Sequence, residues 1–356
     1  MSTKERSSKL YRKLKDKGID YFLSITFERS NTTVRYLSGF TGDTGCVIVG
    51  EKERYLLVDS RFYTQAAQES DCEIVKVGNS SNLTKKALEI LKGKIVGIEN
   101  GKFFHSWYAD MSNDLQLQNV EEDLYAIRAV KDREEVDKIK RAIEVAQNAL
   151  KKTLEKFHVG MTEKEFSSLL GYEMEMHGAQ KPSFDTIIAS GYRGALPHGL
   201  ASDKKMEKGE MVVVDFGALV DGYCSDITRT FGISKVPQKA LDAYLAVLGA
   251  QLKAIESAKS GMTGKEIDGV ARNFLKEKQL DGYFGGGLGH GLGMDVHEYP
   301  FLSEWYDKPI NDMAVVTFEP GVYIPGEFGI RIEDDVLLTE NGHEVLSNFK
   351  KEFTVI

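Results

Sequence analysis

Residues 211–231 read MVVVDFGALVDGYCSDITRTF. Three valines lead into Asp215, where another apolar residue would be expected, and the second half carries Asp226. Asp221-Gly222 is a hairpin signal, because a two-residue turn of this kind needs positive φ at both centres. The stretch therefore reads as a β-hairpin. If the loop centres on Val220 and Asp221, the two aspartates face each other directly. If it centres on Asp221 and Gly222, they are diagonal neighbours. Both registers put the two carboxylates on one face, since side chains alternate along a strand. Like charges there are destabilising, so something must neutralise them.

A second stretch repeats the arrangement. Residues 315–339 read VVTFEPGVYIPGEFGIRIEDDVLLT, with Glu319 in one strand and Glu333 in the next. A three-residue loop at Pro325 to Glu327 sets them opposite. The chain thus holds two matched hairpins, a crude internal two-fold in which each half gives two acids. One acid at a strand end is usually solvated or caps a turn. Four, each entered from an apolar run, call for a different account. Clustered without counter-charge they would raise one another's pKa and cost stability. Two divalent cations remove the difficulty, with four positive charges against four negative ligands.

A fifth ligand is offered by GGGLGHGLGMDVHEYP, residues 285–300, where glycines surround His290 and His297 follows seven residues later. Glycine lets backbone approach closely or take positive φ, so the run can deliver the neutral imidazole of His290. Four carboxylates and one imidazole form an oxygen-rich set. Mn²⁺ is the leading expectation, with Co²⁺, Fe²⁺ or Zn²⁺ as alternatives. Two such ions about 3.5–4 Å apart can share a hydroxide, a strong nucleophile at neutral pH. Hydrolysis of an ester, amide or phosphoester is the natural chemistry.

The rest of the chain bounds this reading. Its 356 residues suggest two domains, and 42% hydrophobic with 28% charged residues is a globular composition. A net charge of −8 with no long basic run argues against a nucleic-acid partner. No run of about 18 apolar residues predicts a membrane span. Cys46, Cys72 and Cys224 lack paired spacing, which fits a reducing, cytoplasmic compartment and no disulfide framework. The basic N-terminus reads as an amphipathic helix, not a signal peptide.

The first part of the chain alternates helix and strand. SSKLYRKLKDKG (7–18) and LTKKALEILKG (83–93) are helical, each stopped by glycine. IDYFLSI (19–25), TGCVIVG (44–50), ERYLLVD (53–59) and KIVGIE (94–99) read as strands. This predicts a small α/β domain over residues 1–126. From residue 127 to 356 an α+β domain is expected. Val136, Ile139, Ile143, Ala146 and Leu150 recur at helical steps. A second helix starts at Thr162, capped by Glu165, and two more cover 239–259 and 264–280.

VDFGALVDGYCSDITRTF, GHGLGMDVHE, FEPGVYIPGEFGIRIED and ALPHG together resemble the Xaa-Pro peptidases, aminopeptidase P and prolidase, which have the pita-bread metallopeptidase fold. The resemblance covers the chain from about Val130 to the end. It touches the N-terminal part, where a creatinase-like domain is implied, through VRYLSGFTGDTG and VDSRFYTQA. It implies the ligand set Asp215, Asp226, His290, Glu319 and Glu333, with Asp226 and Glu333 bridging two metals and Glu319 able to take a proton. It also implies that His198 and His297 flank the substrate, one donating to the developing oxyanion, the other holding the substrate or assisting the leaving group. Arg331 shares a strand face with Glu333 and either orients a carboxylate ligand or contacts substrate. Thr228, two after Asp226, is another candidate supporting donor.

Two positions depart from the pattern. Some archaeal prolidases place a carboxylate-clamping arginine where this chain has Phe301, and many longer members place a histidine where it has Gly286. The implied reaction is cleavage of the bond between an N-terminal residue and a following proline. The aminopeptidase P form on short peptides is the main expectation, and an Xaa-Pro dipeptidase (prolidase) the alternative. Such a bond lacks an N–H and has a fixed φ, which excludes it from most proteases. A homodimer is expected. A non-catalytic peptide-binding module is the remaining alternative, but such proteins usually lose ligands, and all five are present. GMTGKE lacks the spacing of a nucleotide-binding loop.

Overall fold

A computed structural model describes residues 1–28 and 32–356. The chain divides into two compact units, Met1–Arg128 and Ala129–Ile356. Among the described residues no helix is long and apolar enough to cross a membrane.

The first unit is built on a six-stranded sheet of β1 (Tyr21–Thr26), β2 (Gly45–Val49), β3 (Arg54–Val58), β4 (Glu73–Lys76), β5 (Ile95–Ile98) and β6 (Gln116–Asn119), in the order β4-β3-β2-β1-β5-β6. The four strands expected from the sequence are the four central ones. Leu23, Ile25, Cys46, Ile48, Leu57, Val96 and Ile98 share one buried cluster with Leu83, Ala87 and Leu91 of the helix Leu83–Leu91. The two outer strands, EIVK and QLQN, carry no clean apolar alternation because they sit at the sheet's edges.

The second unit runs helix, helix, hairpin, and then repeats that order. The helix Arg133–Leu154 is capped by Asp132 and Glu135, and buries Val136, Ile139, Ile143, Ala146 and Leu150. The helix Glu163–Met176 follows, with the Thr162–Glu165 capping box that the sequence implies. Short strands β7 (Lys181–Pro182) and β8 (Ile187–Ser190) lead to the first hairpin: β9 (Met211–Phe216), β10 (Ala218–Val220), β11 (Tyr223–Cys224) and β12 (Ile227–Gly232). Two helices, Gln238–Ser257 and Gly264–Glu277, precede β13 (Gly289–Gly291), β14 (Glu298–Leu302) and the second hairpin. That hairpin comprises β15 (Ala314–Phe318), β16 (Gly321–Ile324), β17 (Phe328–Arg331) and β18 (Asp334–Thr339), with β19 (Gly342–Val345) at its end. Each helix pair packs on its own hairpin in a separate apolar cluster. A side chain such as Val214 or Val316, fully buried there, contributes about 1.5–3 kcal/mol.

Both hairpins hold the registers that their turns dictate. Asp221 and Gly222 have φ of 50° and 79°, and Val220 pairs with Tyr223 across them. The same register continues into β9 and β12, where Asp215 pairs with Thr228. Asp226 is therefore the diagonal neighbour of Asp215. In the second hairpin, Ile324 pairs with Phe328 and Gly321 with Arg331. Phe318 pairs with Asp334 in the same register. Glu319 and Glu333 lie between these two ladders, opposite each other, where the hairpin passes from one sheet to the next.

Candidate metal centre

Five acids and three imidazoles line one cavity of ≈380 Å³: Asp185, Asp215, Asp226, Glu319, Glu333, His198, His290 and His297. Arg331 lines it too. Every site residue expected from the sequence therefore meets in one place. Asp226, Glu319 and Glu333 fall in the short gaps between strands, whereas Asp215 stays in its ladder, paired with Thr228 and Ile187 near the end of β9.

The glycines around His290 have a packing reason. A Cβ on Gly289 would stand 2.1 Å from the Thr317 carbonyl, and one on Gly291 2.4 Å from the Tyr299 carbonyl. β13 is thus pressed between β14 and β15, and the register slips between His290 and Gly291. Such irregularities re-aim side chains. The His290 Nδ1 lies 3.1 Å from the Gly291 carbonyl, which can only accept, so Nδ1 carries the proton. Nε2 then faces the acids, 3.2 Å from Glu319 and 3.7 Å from Asp226. Asp226, His290 and Glu333 each offer a ligand atom within 4.8 Å of the others.

The electrostatics fit a cation. Asp215 Oδ1 and Glu333 Oε1 are buried without a hydrogen-bond partner among the described residues, a costly state for a carboxylate unless a positive charge meets it. Burial first, then the neighbouring acids, pushes Asp226 and Glu333 well above the usual carboxylate range. Burial also raises Asp215, against the pull of Arg331. Glu319 differs. Burial works to raise its pKa, but His290 and Arg331 outweigh it and hold the group below its ordinary value. Although His297 is open to solvent on one side, crowding around the ring and the neighbouring His290 push it down to about 4. The two rings lie 4.0 Å apart, centre to centre.

Arg331 spends its donors on protein groups around the acids. It donates from Nη2 to Asp215, from Nη1 to Tyr323 Oη at 2.7 Å and the Pro197 carbonyl at 2.9 Å, and from Nε to Thr228 Oγ1 at 3.1 Å. The Thr228 hydroxyl in turn donates a hydrogen bond to Glu333 Oε2 at 2.6 Å. These bonds favour support of the acids over contact with substrate. Phe301 corrects an expectation. It is absent from the cavity wall; its ring packs with Tyr299, Trp305 and Tyr306.

Four residues escape the sequence reading, Asp185 of the cavity wall among them. Tyr323 lines the cavity, and Asp335 accepts the Asp226 N–H at 3.2 Å. Alternation could have found both, since Tyr323 keeps parity with Glu319 and Asp335 with Glu333. Glu163 had no such signal, because its partners lie in a distant loop.

Fold and site together define a metallopeptidase. Residues 137–340 match the model of Metallopeptidase family M24, and residues 6–130 that of the Creatinase/Prolidase N-terminal domain. The chain belongs to family M24, in its pita-bread branch, and is a metal-dependent Xaa-Pro peptidase, a hydrolase. It is 40% identical to an Xaa-Pro dipeptidase of Pyrococcus furiosus, over 98% of this chain and 99% of the relative. Among solved structures, an Xaa-Pro dipeptidase from Bacillus anthracis superposes with a TM-score of 0.94 at 34% identity, covering 100% of both chains. An X-Pro aminopeptidase from Thermotoga maritima superposes with a TM-score of 0.88 at 42% identity, covering 95% of this chain and 98% of that one.

Proposed function

We propose that the chain is an Xaa-Pro dipeptidase that releases proline from short peptides. The observation that carries the peptidase chemistry is the single cavity in which Asp215, Asp226, Glu319, Glu333, His290 and two further imidazoles meet. Its ≈380 Å³ lies near the small end of ligand pockets, about 300–1,000 Å³. The dipeptidase form is supported better than the aminopeptidase form by the names of the relatives, two of them Xaa-Pro dipeptidases at 40% identity.

Asp215, Asp226, His290, Glu319 and Glu333 would hold two divalent ions, Mn²⁺ foremost. When bound, the ions supply Lewis-acid polarisation and water activation at neutral pH. The protein's own groups do the rest. Glu319, held ionised by its surroundings, accepts the proton of the attacking water on its carboxylate. His198 donates an N–H to the developing oxyanion, and His297, neutral at pH 7, holds the substrate beside it. Phe184, Ile187, Leu200 and Val296 give an apolar wall for the pyrrolidine ring, whose amide has no N–H to recognise. Arg331 keeps Asp215 and, through Thr228, Glu333 in place.

The test is kcat/KM of the Mn²⁺-loaded protein on Xaa-Pro dipeptides, Xaa-Pro-Yaa tripeptides and Xaa-Ala dipeptides. The dipeptide with proline should lead by at least about tenfold, ~1.4 kcal/mol of transition-state binding. A lead for the tripeptide supports the second reading, an Xaa-Pro aminopeptidase, which the Thermotoga maritima structure favours. Equal cleavage of Xaa-Ala removes both.

A further inference from the structure

His198 sits in the loop that leaves β8 at Ser190 and returns through Ser202. The loop has little regular structure, a 3₁₀ turn over Gly191–Ala195 and a single bridge from Leu200 to Ile187. It is also open to solvent, with Tyr192, Leu196 and Leu200 each at least half exposed. A segment of this kind has no ladder to fix an imidazole to within the fraction of an ångström that turnover requires. Its anchor lies outside it. Glu163, the first residue of the helix Glu163–Met176, is completely buried. Its carboxylate accepts five hydrogen bonds, all from this loop. Oε1 takes the Ser190 N–H at 2.8 Å and hydroxyl at 2.9 Å. Oε2 takes Arg193 Nε at 2.9 Å, the Ser202 N–H at 3.0 Å and the Ser202 hydroxyl at 2.6 Å. Arg193 then reaches across the loop to the Leu200 carbonyl at 2.5 Å. One carboxylate therefore ties the two ends of the loop together and holds its middle.

We propose that Glu163 is a positioning residue for His198. Its bonds reach neither Asp215, Asp226, Glu319, Glu333 nor His290, so its effect on turnover runs through the loop that carries His198. The inference rests on the reading that His198 serves the reaction. Removing the carboxylate frees the loop ends and takes the acceptor from the buried donors of Ser190 and the half-buried ones of Ser202, while Arg331 still holds the Pro197 carbonyl. His198 then samples many positions, and kcat falls more than metal content or affinity.

The test is a double-mutant cycle on the Mn²⁺-loaded full chain with Glu163→Gln, His198→Ala and both together. Glu163→Gln alone should lower kcat by about tenfold to a hundredfold, a coupling of the size seen between interacting residues. In the His198→Ala background the same change should cost less than about twofold. Bound metal should be unchanged in all three. Arg193→Gln keeps the four serine hydrogen bonds to Glu163 and serves in the same cycle if Glu163→Gln folds poorly. Equal losses in both backgrounds, or loss of metal from either variant, overturn the inference while leaving the role of His198 standing. Full turnover by His198→Ala alone instead removes that role, and the inference with it.

Discussion

Replacing Arg331 by Met tests the electrostatics of the whole site. The guanidinium is buried at 4% exposure and spends its donors on Asp215, Tyr323, Pro197 and Thr228. Methionine keeps much of the volume and removes the charge. In metal-free protein, Asp215 is then a buried carboxylate among three other acids with no cation, a break that costs about 3–5 kcal/mol. With metal bound, the ions still meet Asp215, and only the lost hydrogen bonds count, about 1–2 kcal/mol. For a unit of this size 1 kcal/mol moves Tm by about 2–4 °C. Tm should therefore fall by roughly 6–20 °C in chelator and by roughly 2–8 °C with Mn²⁺. The chain has two tryptophans, Trp107 in the first unit and Trp305 in the second. Unfolding followed by Trp305 fluorescence in a Trp107→Phe background reads the unit that holds the site. Equal losses with and without metal would refute the reasoning, because Asp215 would then not face the ions.

Glu333→Gln or Asp226→Asn should lower kcat by about a thousandfold or more while the fold survives; activity near that of the unchanged protein with full metal content in either variant would end the two-ion proposal. The stability of metal-free protein should fall as pH rises. Asp226 and Glu333 are raised well above their ordinary range, so the folded state holds more protons than the unfolded chain from about pH 4 upward, which makes the slope of stability against pH negative there. The Tm gap between loaded and chelated protein should accordingly narrow from pH 8 to pH 5, and metal loading at pH 7 should release protons; a constant gap with no proton release contradicts this. Gly329→Ala should displace the His198 loop, because its Cβ would stand 1.7 Å from the Gly194 carbonyl. A loss of kcat of at least about tenfold with metal content unchanged is expected, and unaltered kcat would show that the contact is not an anchor.

Much of this site was legible because its acids sit on hairpins with decisive turns. Pro325 to Glu327 fixes one register, Asp221-Gly222 narrows the other to two, and in either of those strand alternation puts Asp215 with Asp226, as it puts Glu319 with Glu333. Those rules act between near neighbours in the chain, so the sequence by itself determined them, along with the capped helices and the apolar central strands. Position across long separations obeys packing instead. Arg331 shares parity with Glu333, yet its charge meets Asp215, 116 residues away on the other hairpin. Phe301 turns to an aromatic cluster because β14 has apolar neighbours to satisfy. The edge strands β4 and β6 exist because the finished sheet offers them partners, not because EIVK or QLQN asks for strand. Glu163 gains its five donors only when the loop from Ser190 to Ser202 folds over the helix. A buried carboxylate is stable only where its hydrogen-bond partners converge, and that convergence is a property of the packed chain.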